Sequence, residues 1–317
     1  MFSFLIRRLL WIVPVLIGVA TITFILMQVI PGDPAQLLVG QHGDEETLAA
    51  IRAELGLDRP VHVQYALFLG RLLKGDLGTS YRQKRPVADI ILERFPATLK
   101  LALAAIIIAV LAGVSLGCLA ALMRGGWLES AIMALSLVGV SAPVFWVGMI
   151  LIVIFGSGLG WLPVAGYGGG SFRHLVLPSL ALSGVFMGYI ARFTRSSMID
   201  VLSQDYIRTA RAIGLPEWRV IIVHALPNAL APVLTVIGLH FAGLLGGSVA
   251  TETLFAWPGL GRAVVDAIRL RDIPVVEGGI IFMAAVFVLV NALVDISYGL
   301  LDPRVRLGGG GEGGTQR

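Results

Sequence analysis

Three groups of residues in this chain have types and spacings that chemistry can use. The first is Gly113-Val114-Ser115-Leu116-Gly117, which matches the Gly-x-Ser-x-Gly elbow of serine hydrolases. That elbow needs a strand-to-helix turn that lifts the serine toward a histidine. Here the pentapeptide lies inside a long uncharged run, where Gly113 and Gly117, one helical turn apart, read instead as a close contact between two membrane helices. His224 and His240 are available as bases, yet nothing in the spacing brings either of them to Ser115. The second group, the five histidines and the lone Cys118, has no metal-ligand spacing and no H-E-x-x-H. The third is Asn291, Asp295 and Tyr298, which share one helix face at i, i+4 and i+7. An acid in an apolar span is a functional candidate by default. Asp295, however, lies about 26 Å along the helix from Gly278, near the headgroups, so a structural polar role for Asp295 and Tyr298 is favoured. No catalytic residue and no metal site is therefore assigned. No Gly-x-x-x-x-Gly-Lys-Ser/Thr loop occurs, so the chain has no cofactor and no phosphate cradle for ATP of its own.

The elements that must position these residues are membrane helices. Of 317 residues, 56% are apolar and 14% charged, and the mean hydropathy is +0.86. Soluble domains carry about 25% charged residues. This composition excludes a compact water-soluble fold, and the net charge of +4 reads as a topology signal, with no nucleic-acid partner. Six stretches reach the length of about 20 residues that a bilayer requires. They are Leu9–Ile30, Ala97–Met123, one within Ser130–Leu162, Leu175–Ala191, one within Val220–Thr251, and Gly278–Leu301. The third is longer than one crossing, so part of it is expected to be loop or tilted helix. In the fifth, Pro227 and Pro232 predict a membrane part starting near Ala231. The first run is too long for the core of a secretory signal and is followed by Pro31-Gly32-Asp33-Pro34, so it reads as a retained helix.

Arginines orient the chain. With the N-terminus cytosolic, one side holds Arg7, Arg8, Arg124, Arg192, Arg195, Arg208, Arg211, Arg219, Arg304, Arg306 and Arg317. The short loops opposite hold Arg173, Arg262, Arg269 and Arg271. This asymmetry predicts both termini inside a prokaryotic cytoplasmic membrane. The expected organisation is residues 1–30 for the N-terminus and first span, 31–96 for an external helical insertion, 97–307 for the remaining spans, and 308–317 for a flexible glycine-rich tail. In the insertion, Glu45–Leu57 predicts an amphipathic helix that ends at Gly56. The fold class is all-α and polytopic, with six transmembrane helices.

The most informative stretch is the cytosolic loop of about 196–228, DYIRTARAIGLPEWRVIIVHALPNA from Asp205 onward. Asp205 can cap a helix whose face carries Tyr206, Ala210 and Ile213. Gly214 can supply a left-handed C-cap, and Pro216 can stop one helix and open the next. Leu226-Pro227 is expected to end that second helix. A short helix with a small-residue face suits docking into a groove of another protein. It equally suits lying on lipid, with Arg208, Arg211 and Arg219 near phosphates.

This loop resembles the coupling motif of the membrane subunits of binding-protein-dependent ABC importers. That motif runs Glu-Ala-Ala, three residues, Gly, nine residues, Ile, one residue, Leu-Pro. Aligned on Gly214, its closing pair is Leu226-Pro227. The opening triplet here is Arg208-Thr209-Ala210, and the Ile position is His224. RTARAIGL followed by HALPNA is similar to the dipeptide/oligopeptide/nickel branch, as are PGDP at 31–34, LGLDRP at 55–60, GDLGTS at 75–80, ETLFAWPGLGR at 252–262, RDIP at 271–274 and DPR at 302–304. The resemblance implies a type I importer permease fold working by alternating access. It also implies a second homologous permease subunit, two cytosolic subunits that bind ATP and Mg, an extracytoplasmic substrate-binding protein and surrounding lipid. Tyr206, Arg208, Thr209, Ala210, Arg211, Gly214, Leu215 and Pro216 would then meet an ATPase. Gln28, Thr235, Ser248 and Asn291 are neutral hydrogen-bonding residues that could line the path of a peptide. A nickel or other small polar solute is the alternative. A secondary carrier would show repeat symmetry, which is absent from the sequence.

Overall fold

The computed structural model describes residues 2–29, 35–36 and 45–301, and among these every regular element is a helix. That outcome follows from the hydrocarbon setting. Water is absent there, so each backbone N–H and C=O must be satisfied within its own segment.

Helix α1 spans Phe2–Val29. α2 spans Glu45–Leu55, opens on Glu45 and Glu46, and stops at Gly56, whose φ is +68°. α3 spans Val61–Leu73 and packs Phe68 and Tyr65 on Phe24 of α1. α4 spans Val87–Leu122, so the second span begins ten residues before the predicted Ala97. Val87, Ile90 and Ile91 are buried against Leu260, Val264 and Val276, and this contact holds the extra turns in helix. The division expected between 96 and 97 thus falls inside one continuous element.

α5 (Trp127–Ser141) and α6 (Val144–Leu151) meet at a bend of 106° over Ala142 and Pro143. Proline removes a donor and disfavours helix at the preceding residue, which accounts for the break. α6 runs on as a wide π turn, Ile152–Gly158. α7 (Phe172–Leu202) is the central helix and packs on α4, α5 and α6. Its contact with α4 is the most extensive in the molecule. Small residues make that approach possible: a Cβ on Gly113 would lie 2.9 Å from Ile190, and one on Gly117 2.5 Å from the Ala191 carbonyl oxygen. Ser115 points away from α7 and donates back to Leu111 at 2.7 Å. The elbow is therefore a helix contact, and no histidine approaches its serine among the described residues.

α8 spans Asp205–Ala212 and α9 spans Glu217–Arg219. A π turn, Val220–Ala225, then leads without interruption into α10, Leu226–Gly247. Leu226-Pro227 was expected to end a helix, and the structure carries the helix through. Pro227 sits in the first two positions after the π turn, where the hydrogen-bond register is already shifted. The Asn228 side-chain amide donates to the His224 carbonyl at 2.7 Å. Near Pro232, the Ser197 hydroxyl of α7 donates to the Ala229 carbonyl at 2.8 Å.

α11 (Val249–Leu254), α12 (Leu260–Leu270) and α13 (Ile273–Leu301) complete the chain. Among the described residues, five helices are long and apolar enough to cross a membrane, and the bent α5–α6 pair makes six if it counts as one span. The expectations for Asp295 and Tyr298 concern side chains outside the described residues, as does the 308–317 tail.

Candidate coupling surface and its supporting clasps

α8 packs on the C-terminal end of α4 through Ala121, whereas α3 lies beside the loop that precedes the start of α4. The position of α8 is set by two side chains that face inward. Ile207 is fully buried and Ala210 nearly so, against Met198 of α7, Val220 and Ala225 of the π turn, and Ala229 of α10. Burying an isoleucine fully stabilises the docked helix by about 1.5–3 kcal/mol. Ala210 was expected on the outward face, and this is a correction. The inward stripe is the apolar one because α8 must first attach to its own chain. Leu215 also packs inward.

The C-terminus of α8 forms a complete Schellman motif. Gly214 N–H donates to Arg211 at 3.0 Å, and Leu215 N–H reaches Ala210 at 3.3 Å. Gly214 has φ +81°, and a Cβ there would meet nothing within 4 Å. Backbone conformation, and not crowding inside this chain, is what calls for glycine. At the other end the sequence reading needs correcting: Gln204 is the N-cap, and Asp205 is the first helical residue and makes no cap bond. Asp205 still favours the helix through the dipole and lies 3.3 Å from Arg208.

Arg211 grips Glu217 through both carboxylate oxygens, at 2.6 and 3.2 Å, and so closes the turn over Pro216. Arg211 still leaves 42% of its side chain exposed beside this pair. The exposed residues include Tyr206, Arg208, Thr209, Arg211, Ile213, Gly214, Pro216 and Trp218. Ile213 is 71% and Trp218 60% exposed, large apolar side chains held outward on a braced loop. Trp218 escaped the sequence reading; its signal was an aromatic directly after the Pro216-Glu217 helix start.

Three of the other motifs, ETLFAWPGLGR, GDLGTS and RDIP, take part in clasps, whereas PGDP and DPR lie outside the described residues. Glu252 is fully buried and accepts from Thr98 Oγ1 at 2.7 Å, Ser248 Oγ at 2.8 Å and the Arg262 N–H at 2.9 Å. Thr98 in turn accepts from the Leu260 N–H at 2.8 Å. A Cβ on Gly259 would sit 2.3 Å from the Glu252 carboxyl carbon, so the loop closes around the acid only with glycine there. Trp257, also fully buried, donates its indole N–H to Ala97 at 2.9 Å. The second clasp joins GDLGTS to RDIP: Ser80 Oγ donates to Asp272 at 2.5 Å and the Tyr81 N–H does so at 2.9 Å. A third joins α5 to α7, where Glu129 accepts from Gly125 N–H at 2.5 Å and from Arg195 Nε at 2.6 Å.

The four path candidates do not converge. Gln28 bonds Gln64 of α3 at 3.1 Å. Ser248 is buried in the Glu252 clasp. Asn291 donates back to Phe287 and lines a groove of about 250 Å³ with Trp11 and Val15 of α1. Thr235 has a buried hydroxyl that meets no partner among the described residues. Two of the four thus hydrogen-bond other side chains of this chain.

Two family profiles match the chain. Residues 1–102 match the N-terminal part of the membrane component of binding-protein-dependent transport systems, and residues 113–307 match the inner membrane component itself. The glutathione transport system permease protein GsiC of Salmonella choleraesuis (strain SC-B67) is 44% identical over 306 residues, covering 96% of this chain and 99% of that one. A protein of Brucella abortus (strain 2308), provisionally named a peptide transport system permease protein, is 46% identical over 312 residues at the same coverage. A crystal structure of an amino acid ABC transporter with histidines matches with TM-score 0.48 at 18% identity, covering 68% of this chain and 94% of that one. Matched by family profiles over both its parts, the chain belongs to the inner membrane components of binding-protein-dependent transport systems.

Proposed function

We propose that this chain is one half of the membrane pathway of an ATP-driven importer of di- and oligopeptides. Both termini lie in the cytosol, α2 and α3 lie outside, and the exposed Tyr206–Ile213–Trp218 face seats on a cytosolic ATPase. A second homologous permease completes the path, and an extracytoplasmic binding protein delivers the peptide. The observation that carries this reading is the braced surface of α8. Large apolar side chains are held outward by a Schellman turn and a two-point Arg211–Glu217 pair, as a docking surface requires and as a helix resting on lipid does not. Relatives named for glutathione and for peptides support a peptide as the solute.

The test is uptake by proteoliposomes that hold this chain, its partner permease and two ATPases, with the cognate binding protein added outside. Labelled short peptide should enter in an ATP-dependent manner. Uptake of nickel without uptake of peptide would overturn the assignment.

A further inference from the structure

Five residues of α7, Tyr189, Arg192, Phe193, Ser196 and Asp200, fall at i, i+3, i+4, i+7 and i+11, a single stripe of the helix. With Pro232 of α10 they line a cavity of about 570 Å³. All five are exposed, on a helix whose other faces are packed against α4, α5 and α6. Tyr189 is 36% and Phe193 50% exposed. Arg195, which also borders the cavity, is occupied by Glu129, whereas Arg192 and the Asp200 carboxylate make no ion pair among the described residues. Deeper in the membrane part the stripe continues: His240 of α10 stands 4.9 Å from the Tyr189 ring and 5.2 Å from the Phe186 ring.

We propose that this stripe holds a short peptide with two charged ends as it passes through the membrane. Asp200 takes the terminal ammonium, Arg192 takes the carboxylate, and Tyr189 and Phe193 receive what lies between. This assignment rests on the peptide-import reading above. The dimensions fit. Eight residues of helix place Asp200 about 12 Å from Arg192 along the axis. An extended tripeptide spans about 10–11 Å. The cavity volume falls in the range of about 300–1,000 Å³ usual for small-ligand sites. Solvent-exposed charges hold weakly, and a translocation path needs weak holding so that the solute can leave.

The experiment uses the full complex in proteoliposomes, with Cys118→Ser and Ser196→Cys in this chain. The rate at which a charged methanethiosulfonate labels position 196 is read without nucleotide, with and without trialanine. Trialanine should slow labelling about three- to fivefold, the effect of one or two exposed charge contacts. N-acetyl-trialanine amide, which lacks both charges, should leave the rate unchanged. Adding Arg192→Gln or Asp200→Asn should remove the protection. Equal rates with and without trialanine would overturn the proposal. So would a thiol that labels in the isolated chain and is silent in the complex, because the stripe would then be the seam between the two permeases. Uptake of labelled trialanine by vesicles that hold the unsubstituted complex separates the two ideas: uptake without protection overturns this assignment alone, and absence of uptake overturns the import reading and this inference with it.

Discussion

Replacing Thr98 by valine isolates the Glu252 clasp, because the two side chains share a shape and differ by one hydroxyl. That hydroxyl is 1% exposed, donates to Glu252 at 2.7 Å and accepts from the Leu260 N–H at 2.8 Å. In Thr98→Val the Leu260 N–H loses its acceptor in a site closed to water, which costs about 1–3 kcal/mol. Glu252 keeps Ser248 and the Arg262 N–H but loses its third donor, a net hydrogen bond of about 1 kcal/mol. The sum is a destabilisation of about 2–4 kcal/mol, or roughly 3–6 °C in Tm for a chain of this size.

Tryptophan fluorescence melts in detergent measure it, and Trp257 places a reporter inside the same loop. Thr98→Ser, which keeps the hydroxyl, should recover most of the loss. Thr209→Val removes an exposed hydroxyl that bonds only Asp205 and should stay within about 0.5 kcal/mol of wild type. If Thr98→Val melted with Thr209→Val, the reasoning that treats this acid as a structural fastener would be refuted.

Three further outcomes are expected. Gly214→Leu forces a side chain into φ +81°, a strain of about 1–2 kcal/mol, and should leave the protein in the membrane while abolishing uptake; uptake at the wild-type rate would remove α8 from the coupling path. Leu73→Cys and Arg219→Cys, each on a Cys118→Ser background, should react with an impermeant thiol reagent from opposite sides of the membrane, and labelling of both from one side would reverse the topology. Burial, and next the Glu277 carboxylate, push the Tyr81 phenol from 10.0 up to about 12. The folded state therefore holds this proton more tightly than the unfolded chain, so the associated stability is intact below about pH 10 and falls as pH rises from there through about 12. Ultraviolet titration should show one late tyrosinate that disappears in Tyr81→Phe.

The spans were legible because each is a local property of about 20 consecutive residues, and so was the left-handed turn at Gly214. The direction in which α8 faces was not. Ala210 and Tyr206 share its periodicity, and only the presence of Met198, Val220 and Ala229 decides that Ala210 goes inward. The passage of helix through Leu226-Pro227 was hidden for a similar reason. Proline predicts a stop, and the π turn that accommodates it has no sequence rule of its own. The clasps were hidden by distance. Thr98 and Glu252 are 154 residues apart, and Ser80 and Asp272 are 192 apart. Their motifs could be recognised, but no spacing argument pairs residues across such separations. The Gln28–Gln64 pair was hidden on the same ground, 36 residues apart, whereas Ser248 and Glu252 stand only four residues apart.

These particulars divide the molecule into two mechanical ends. At the insertion end, buried acids fasten α4, α11, α12 and the start of α13 to one another, each through several donors. A group held by several hydrogen bonds in a dry site cannot be displaced singly without exposing the rest, so this end should move as a block. At the opposite end, α8 touches its neighbours through a few apolar side chains, and its base is the π turn that continues into α10. A π turn has a less regular hydrogen-bond register than the α-helix it interrupts, and such turns recur at functional sites. On the proposed coupling role, force applied to the Ile213–Trp218 face would pass through Ile207 to α7 and through the Val220–Ala225 turn to α10. The 570 Å³ cavity is lined mainly by α7, with Met133 of α5 and Pro232 of α10, so such a push would act on the walls of the space where the solute is proposed to sit.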